Sequence, residues 1–226
     1  MKRTYFLTLA LAAALAGGCR GSEQAPAPAG SAPVGTSGAA DVKGGDKDFV
    51  RDAAHTGMAE VEMGRLALQK SKDVNVKKFA QMMIDDHTKA LDSLTALASR
   101  HHIGVPTQID ENHHDKAEEV GKKQGVEFDR EYAEMMVDGH QDFVDMLESR
   151  VDKDTLASWK AKNVDPATGR LIEAKGEAIT VIPEKSDDPV TFGLNEWAAK
   201  TYPVAFAHLE AAKALQKGAT RRTTAP

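Results

Sequence analysis

The chain has 226 residues, of which 41% are hydrophobic, and its formal net charge is −5. Charges of both signs are mixed along it, so it lacks the basic stripe that a phosphate backbone requires, and nucleic acid is excluded as an expected partner. Cys19 is the only cysteine, which excludes an intramolecular disulfide.

Residues 1–18 have the pattern of an export signal. Lys2 and Arg3 precede an apolar run over residues 5–16 in which Thr8 is the one polar aliphatic residue. This run is shorter than the roughly 20 residues that a membrane-crossing helix needs, and basic residues followed by a short apolar run are typical of a signal peptide. We therefore expect the protein to be exported.

The end of this segment resembles the lipobox of bacterial lipoproteins, in which a peptidase cuts before a cysteine that carries diacylglycerol. Residues 15–19 read LAGGC, and the one departure is that Leu15 stands one place early. We expect Cys19 to be lipidated and to anchor the protein to a membrane. In a Gram-negative host, Arg20 favours the periplasmic face of the outer membrane. The alternative is an ordinary signal peptide that happens to contain a cysteine.

The mature chain divides by composition. Residues 19–45 are dominated by Ala, Pro, Gly and Ser, which cannot bury enough surface to offset their ordering entropy, so they are predicted to form a disordered tether. Residues 46–218 have the length of one domain with its own core, and few aromatic but many helix-forming residues. Residues 219–226 are expected to be a disordered tail.

Apolar residues that recur every three or four positions predict four long helices, over residues 49–70, 76–100, 126–151 and 194–217. A weaker pattern covers residues 110–122. In the last helix, Pro203 predicts a kink or a late start. These elements predict an all-α fold, a ferritin-like four-helix bundle.

The second and third long helices contain similar stretches. Residues 79–87 (FAQMMIDDH) match residues 132–140 (YAEMMVDGH) at a constant offset. The match favours a duplicated helical hairpin, and chance similarity is the alternative. Over residues 152–195 the helical period is lost among prolines and glycines. We expect an inserted irregular segment there, with residues 178–182 as its one strand-like run.

Four titratable side chains fall within apolar stripes of separate helices: Glu60, His87, His140 and His208. Buried groups of this kind need partners. Imidazole and carboxylate are common ligands of zinc, iron and copper, and facing helices build such sites in bundles. The other interpretation is a metal-free hydrogen-bonded network. In either case the expected supporting residues are Asp86, Tyr132 and Asp138.

The sequence offers little support for an enzyme. None of the three histidines has a glutamate three residues before it, so they do not form the Glu-x-x-His pairs of carboxylate-bridged di-iron proteins. There is also no Gly-rich phosphate loop, no Gly-x-Ser-x-Gly elbow and no His-Glu-x-x-His motif. No catalytic residue is therefore predicted.

Several stretches together resemble the bacterial family catalogued as domain of unknown function 4142. They are residues 59–67 (AEVEMGRLA), residues 76–80 (VKKFA) with Met83 and Asp86-His87, Phe128-Asp129 with Tyr132 and His140, and Pro203 with His208-Leu209. The resemblance covers residues 46–151 and 197–215. It implies a ferritin-like bundle in an exported or lipid-anchored envelope protein. It also implies recurrent polar residues at Glu60, Asp86, His87, Tyr132, His140 and His208.

Two functions follow from these observations. The first is a lipid-anchored envelope protein with a non-enzymatic role, such as binding an envelope partner, a structural role or a stress-related one. The second is a metal-binding ferritin-like module that holds zinc, iron or copper in its core. The missing catalytic motifs favour the first, and the sequence predicts neither the partner nor the oligomeric state.

Overall fold

The computed structural model describes residues 42–172 and 179–223. The predicted signal peptide, Cys19 and the tether up to residue 41 lie outside the described residues. Within the described ranges the structure is helical and has no named strand, which confirms the predicted all-α bundle. No helix in these ranges is long and apolar enough to cross a membrane.

Four long helices form the bundle, and two short helices accompany them. In chain order the helices are α1 (Gly44–Lys70), α2 (Val74–Arg100), α3 (Glu111–Lys122), α4 (Gly125–Glu148), α5 (Lys153–Asn163) and α6 (Pro189–Thr223). The largest interfaces join α1 to α2 and α4 to α6. These pairs are two hairpins of consecutive long helices, whereas the repeated stretches lie on α2 and α4, the second helix of one pair and the first helix of the other.

Two glycines on α1 allow α2 to approach closely. A Cβ at Gly64 would lie 2.9 Å from the backbone oxygen of Ala80, and a Cβ at Gly57 would lie 3.0 Å from Leu91 Cγ. A larger residue at Gly64 would force the helices apart because its Cβ would meet backbone, whereas at Gly57 the side chain of Leu91 would have to shift. Glu60 lies between these glycines and is thereby brought against α2.

Apolar side chains form two buried clusters along the bundle. One contains Phe143 with residues of α5 and α6, and the other contains Phe79 with residues of α3 and α4. The ring of Phe143 is 6.2 Å from that of His87, and the ring of Phe79 is 6.5 Å from that of His140. The inward histidines therefore lie where the two apolar clusters meet.

The segment before the last helix is more ordered than predicted. It begins with α5, whose buried residues are Leu156 and Trp159. Trp159 packs edge-on against Tyr202 of α6, with ring centroids 5.4 Å apart. The described part of the strand-like run, residues 179–182, is not a strand. The nearest sheet-like contact is an isolated bridge between Val151 and Pro183.

The last helix extends beyond its predicted bounds at both ends. It begins at Pro189 and runs through Pro203, so a late start at Pro203 is wrong. It also continues through residues 219–223, which were expected to belong to the disordered tail. In that last turn Arg222 forms an ion pair with Asp73, the N-cap of α2, which joins the end of α6 to the start of α2.

Candidate metal centre

Each long helix contributes one residue to a polar cluster in the core. Glu60 comes from α1, His87 from α2, His140 from α4 and His208 from α6, and none is more than 4% exposed. The three imidazole centroids are 5.4–5.5 Å apart. One ligand nitrogen from each histidine lies within 4.8 Å of the others. The structure thus brings together the four residues that the helical period turned inward.

The Glu60 carboxylate lies against two of the histidines. Its Oε2 is 2.6 Å from His87 Nε2, and its Oε1 is 3.1 Å from His140 Nδ1. Neither contact is aligned as a hydrogen bond, although at 2.6 Å His87 Nε2 is close enough to Oε2 to lower the pKa of Glu60. The carboxylate and the two imidazoles are therefore in close contact without an aligned hydrogen bond between them.

The imidazole of His140 is oriented by its own helix. Nδ1 lies 2.8 Å from the carbonyl oxygen of Met136, one turn earlier. Because a carbonyl only accepts hydrogen bonds, this contact assigns the proton to Nδ1 and leaves a lone pair on Nε2. His140 Nε2 is buried and has no hydrogen-bond partner among the described residues. The sequence analysis did not predict this backbone partner. The only sequence signal for it is that Met136 lies four residues, about one helical turn, before His140.

A carboxylate from α2 orients His208. His208 Nε2 lies 3.2 Å from Asp86 Oδ2, so Nε2–H donates to the carboxylate and the lone pair remains on Nδ1. Nδ1 is buried and has no hydrogen-bond partner in the described part of the chain. Imidazoles that bind metals commonly donate their second N–H to a carboxylate or a backbone carbonyl. His208 donates to a carboxylate, and His140 donates to a backbone carbonyl.

Burial determines the charge of the cluster. It lowers the pKa of His140, although Glu60 opposes this, and together with repulsion from the other imidazoles it lowers the pKa of His208 to about 4. Burial alone would raise the pKa of Glu60, but the positive charge that the imidazoles acquire on protonation lowers it to about 2. At neutral pH the cluster therefore contains an ionised carboxylate and at least two neutral imidazoles, the forms that bind metal ions.

The donor atoms of the cluster fit a transition-metal ion. His87 Nε2, His140 Nε2, His208 Nδ1 and both Glu60 oxygens are buried without a hydrogen-bond partner among the described residues. Such atoms are rare in native proteins and call for a bound ion or water as partner. Imidazole nitrogens with a carboxylate suit zinc, iron and copper.

The three expected supporting residues differ in where they lie. Asp86 contacts the cluster through His208. Tyr132 is fully buried, and burial followed by the charge of Glu60 raises its pKa, so its hydroxyl stays protonated. Asp138 is exposed, and the structure does not bring it to the cluster, contrary to the prediction. It precedes His140 by two residues, which places it about 200° around the helix.

A second group of ligand types lies on the surface of α3. His114, Asp115 and Glu118 place ligand atoms within 4.8 Å of one another, and all three are exposed. Exposed groups gain little from one another because water solvates them well. We assign no site to this group, which provides a control for the buried one.

Comparison with known proteins gives one match. A sequence model of the family described as Domain of unknown function (DUF4142) matches residues 31–175, which is more than half of the chain. The matched region includes Glu60, His87 and His140 and ends before α6, the helix that carries His208. No curated protein and no solved structure matches the chain.

Proposed function

The chain belongs to the family described as Domain of unknown function (DUF4142), and we propose that its helical bundle binds one transition-metal ion in the core. The observation that carries this proposal is the convergence, beside an ionised carboxylate, of three buried imidazoles, two of which, His140 and His208, keep a nitrogen with a free lone pair. The ligands are His87, His140 and His208, and Glu60 supplies negative charge next to them.

A metal ion explains the cluster better than a metal-free network does. In a closed network the buried polar atoms would bond to one another, because each one left without a partner costs about 1–3 kcal/mol. Here the resolved hydrogen bonds of His140 and His208 point outward, to Met136 and Asp86. The inward nitrogens then remain available to a shared ligand. A cation also compensates the buried charge of Glu60.

The proposal is tested by loading the purified, metal-free protein with Zn²⁺, Fe²⁺ or Cu²⁺ and measuring bound metal after dialysis. We expect about one ion per chain and a higher thermal midpoint, because a ligand that binds only the folded state stabilises it. A chelator should reverse the rise. If none of the three ions is retained, the proposal is wrong.

The surface group provides the matched control for this experiment. His114→Gln removes an exposed imidazole from α3 without touching the core, so stoichiometry and thermal midpoint should match those of the wild type. If His114→Gln lost the bound ion, the metal would be on the surface of α3 and not in the core.

We further propose that the protein is exported and anchored to a membrane through lipid on Cys19. Support comes from the sequence alone, from the signal-like residues 1–18 and the lipobox-like residues 15–19. In a bacterial host, the wild type should incorporate labelled palmitate and fractionate with membranes. Cys19→Ser should do neither. Wild-type protein that is exported but unlabelled would contradict lipidation.

A further inference from the structure

A groove of about 470 Å³ runs between α1, α3 and α4 and is strongly acidic. Besides Glu60, the carboxylates that line it are Asp52, Glu119, Glu131, Glu134, Asp138 and Asp142. Those from α4 follow one another at steps of three, four and four residues, so they form one stripe along the helix. Lys116 is the only lysine or arginine among the lining residues. Arg51 and Arg130 form ion pairs with three of these carboxylates, those of Asp52, Glu131 and Glu134, but the groove keeps a net negative charge and therefore attracts cations.

Glu60 forms the inner end of this groove. It lines the groove although its side chain is 4% exposed, and its two oxygens accept no hydrogen bond from a described residue. The same carboxylate also contacts His87 and His140. Glu60 thus connects the acidic groove to the buried histidines, and of the four cluster residues it is the one that lines the groove.

The grooves beside α2 and α6 have the opposite balance of charge. Asp86, which accepts a hydrogen bond from His208, lines both of these grooves. Lys78, Lys89 and Arg222 line one of them with two carboxylates, and Lys89, Arg100 and Lys200 line the other with two carboxylates. Cationic side chains outnumber carboxylates in each, so these grooves attract cations less than the acidic groove does.

The repeated stretches on α2 and α4 explain this difference between the two sides. Asp86 before His87 corresponds to Gly139 before His140. On α2 the Asp86 side chain bonds His208. On α4 a Cβ at position 139 would lie 3.5 Å from Glu60 Oε1, so any larger residue at this groove-lining position would pack directly against this oxygen.

We infer that the acidic groove between α1, α3 and α4 is the route by which a hydrated divalent cation reaches the buried site, with Glu60 as its first ligand. This inference rests on the proposed metal-binding function. The stripe on α4 raises the local cation concentration, and Glu60 passes the ion to His87 and His140 as water is lost. Asp138, which does not support the histidines, acts in this route instead.

The route is tested by rapid mixing of metal-free protein with Zn²⁺, with a zinc-sensitive dye reporting the free ion. Asp138→Asn combined with Asp142→Asn should slow uptake by about 3- to 10-fold at low ionic strength, because it removes part of an electrostatic steering that raises association rates by about 10- to 1,000-fold. The difference should shrink at about 1 M salt, where screening acts within about 3 Å. The final stoichiometry should not change, since neither residue contacts the cluster.

The matched control is Asp85→Asn combined with Glu196→Gln. It removes the same two charges from exposed positions in the grooves beside α2 and α6, and it should leave the uptake rate near that of the wild type. Equal slowing in both double variants, or greater slowing in the control, would overturn the route while metal binding stands. Wild-type protein that takes up no Zn²⁺ would overturn metal binding by this ion and the route together.

Discussion

Replacing His140 by glutamine is expected to remove tight metal binding from the folded bundle. Glutamine is uncharged and of similar size, so His140→Gln mainly removes the free Nε2 lone pair at the centre of the cluster. Loss of a residue that only supports a ligand weakens metal affinity by about 10- to 100-fold, so loss of the ligand itself should exceed about 100-fold. At a metal concentration of about 1,000 times the wild-type Kd, metal stabilisation should fall from about 4 to at most about 1.4 kcal/mol.

Thermal unfolding with and without metal measures this effect. Each kcal/mol shifts the midpoint by about 2–4 °C in a domain of this size, so the metal-induced rise should shrink several-fold. The metal-free variant should still unfold cooperatively, and His208→Gln is a second variant if it does not. A full metal-induced rise in folded His140→Gln would show that the core cluster is not the site.

Two neighbouring aspartates on α2 extend this experiment into a graded series. Asp86→Asn retains an oxygen for His208 but removes its charge, so affinity should fall by about 10- to 100-fold, less than for His140→Gln. Asp85 is exposed and accepts a hydrogen bond from Gln81, so Asp85→Asn should bind metal as the wild type does. Equal effects of the two changes would mean that Asp86 acts through general charge and not by orienting His208.

The inward positions of the cluster could be predicted because each long helix buries one stripe. Glu60, His87, His140 and His208 occur in register with apolar residues three and four positions away, and a stripe has only one buried direction in a bundle. The repeated stretches on α2 and α4 also indicate on which face of α4 Asp138 lies. It corresponds to Asp85, and both residues are exposed. Reading the repeat position by position would have placed Asp138 on the surface.

The orientation of the ligands could not be predicted in the same way. The period shows that His208 is buried, but the pairing of α2 with α6 decides that Asp86 reaches it. Likewise, the bond from His140 to Met136 depends on the side-chain rotamer, which a residue pattern does not encode. Which nitrogen keeps a lone pair is therefore a property of the folded structure.

The segment over residues 152–195 illustrates a second limit. α5 has 11 residues and only two buried ones, Leu156 and Trp159, which is too few to establish a helical period. These two side chains nevertheless join the apolar core beside α6. A short helix that packs through one leucine and one tryptophan cannot be distinguished from an irregular segment by its sequence pattern. Its contacts in the folded protein nevertheless fix its position.

Arg150→Ala is expected to destabilise the bundle by about 3–5 kcal/mol. The guanidinium bonds Asp46 Oδ1 at 2.5 Å and the carbonyl of Gly45 at 2.9 Å, and it lies 4.4 Å from the ring centre of Phe49. Asp46 is 3% exposed, so among the described residues the variant leaves this buried carboxylate with only the hydroxyl of Thr191 as a side-chain partner. Removing one partner of a buried ion pair costs this amount because the remaining charge is not compensated.

Arg51→Ala is the matched control, since Arg51 also pairs with two carboxylates, those of Asp48 and Asp52. Its side chain is 51% exposed, and exposed pairs contribute at most about 1 kcal/mol. Urea and thermal unfolding of the metal-free proteins should therefore separate the two variants, with a midpoint about 6–20 °C lower for Arg150→Ala than for the wild type. Equal midpoints would show that the buried pair contributes no more than an exposed one.

The same variant separates the stability of the bundle from the chemistry of its site. Arg150 and Asp46 join the end of α4 to the start of α1, and Thr191 extends the contact to α6. These three helices carry Glu60, His140 and His208, but the ion pair lies outside the cluster. Arg150→Ala should therefore lower the fraction of folded protein on heating while its folded molecules bind metal with unchanged stoichiometry at low temperature. Added metal should restore part of the lost midpoint, because binding to the folded state offsets a loss of intrinsic stability.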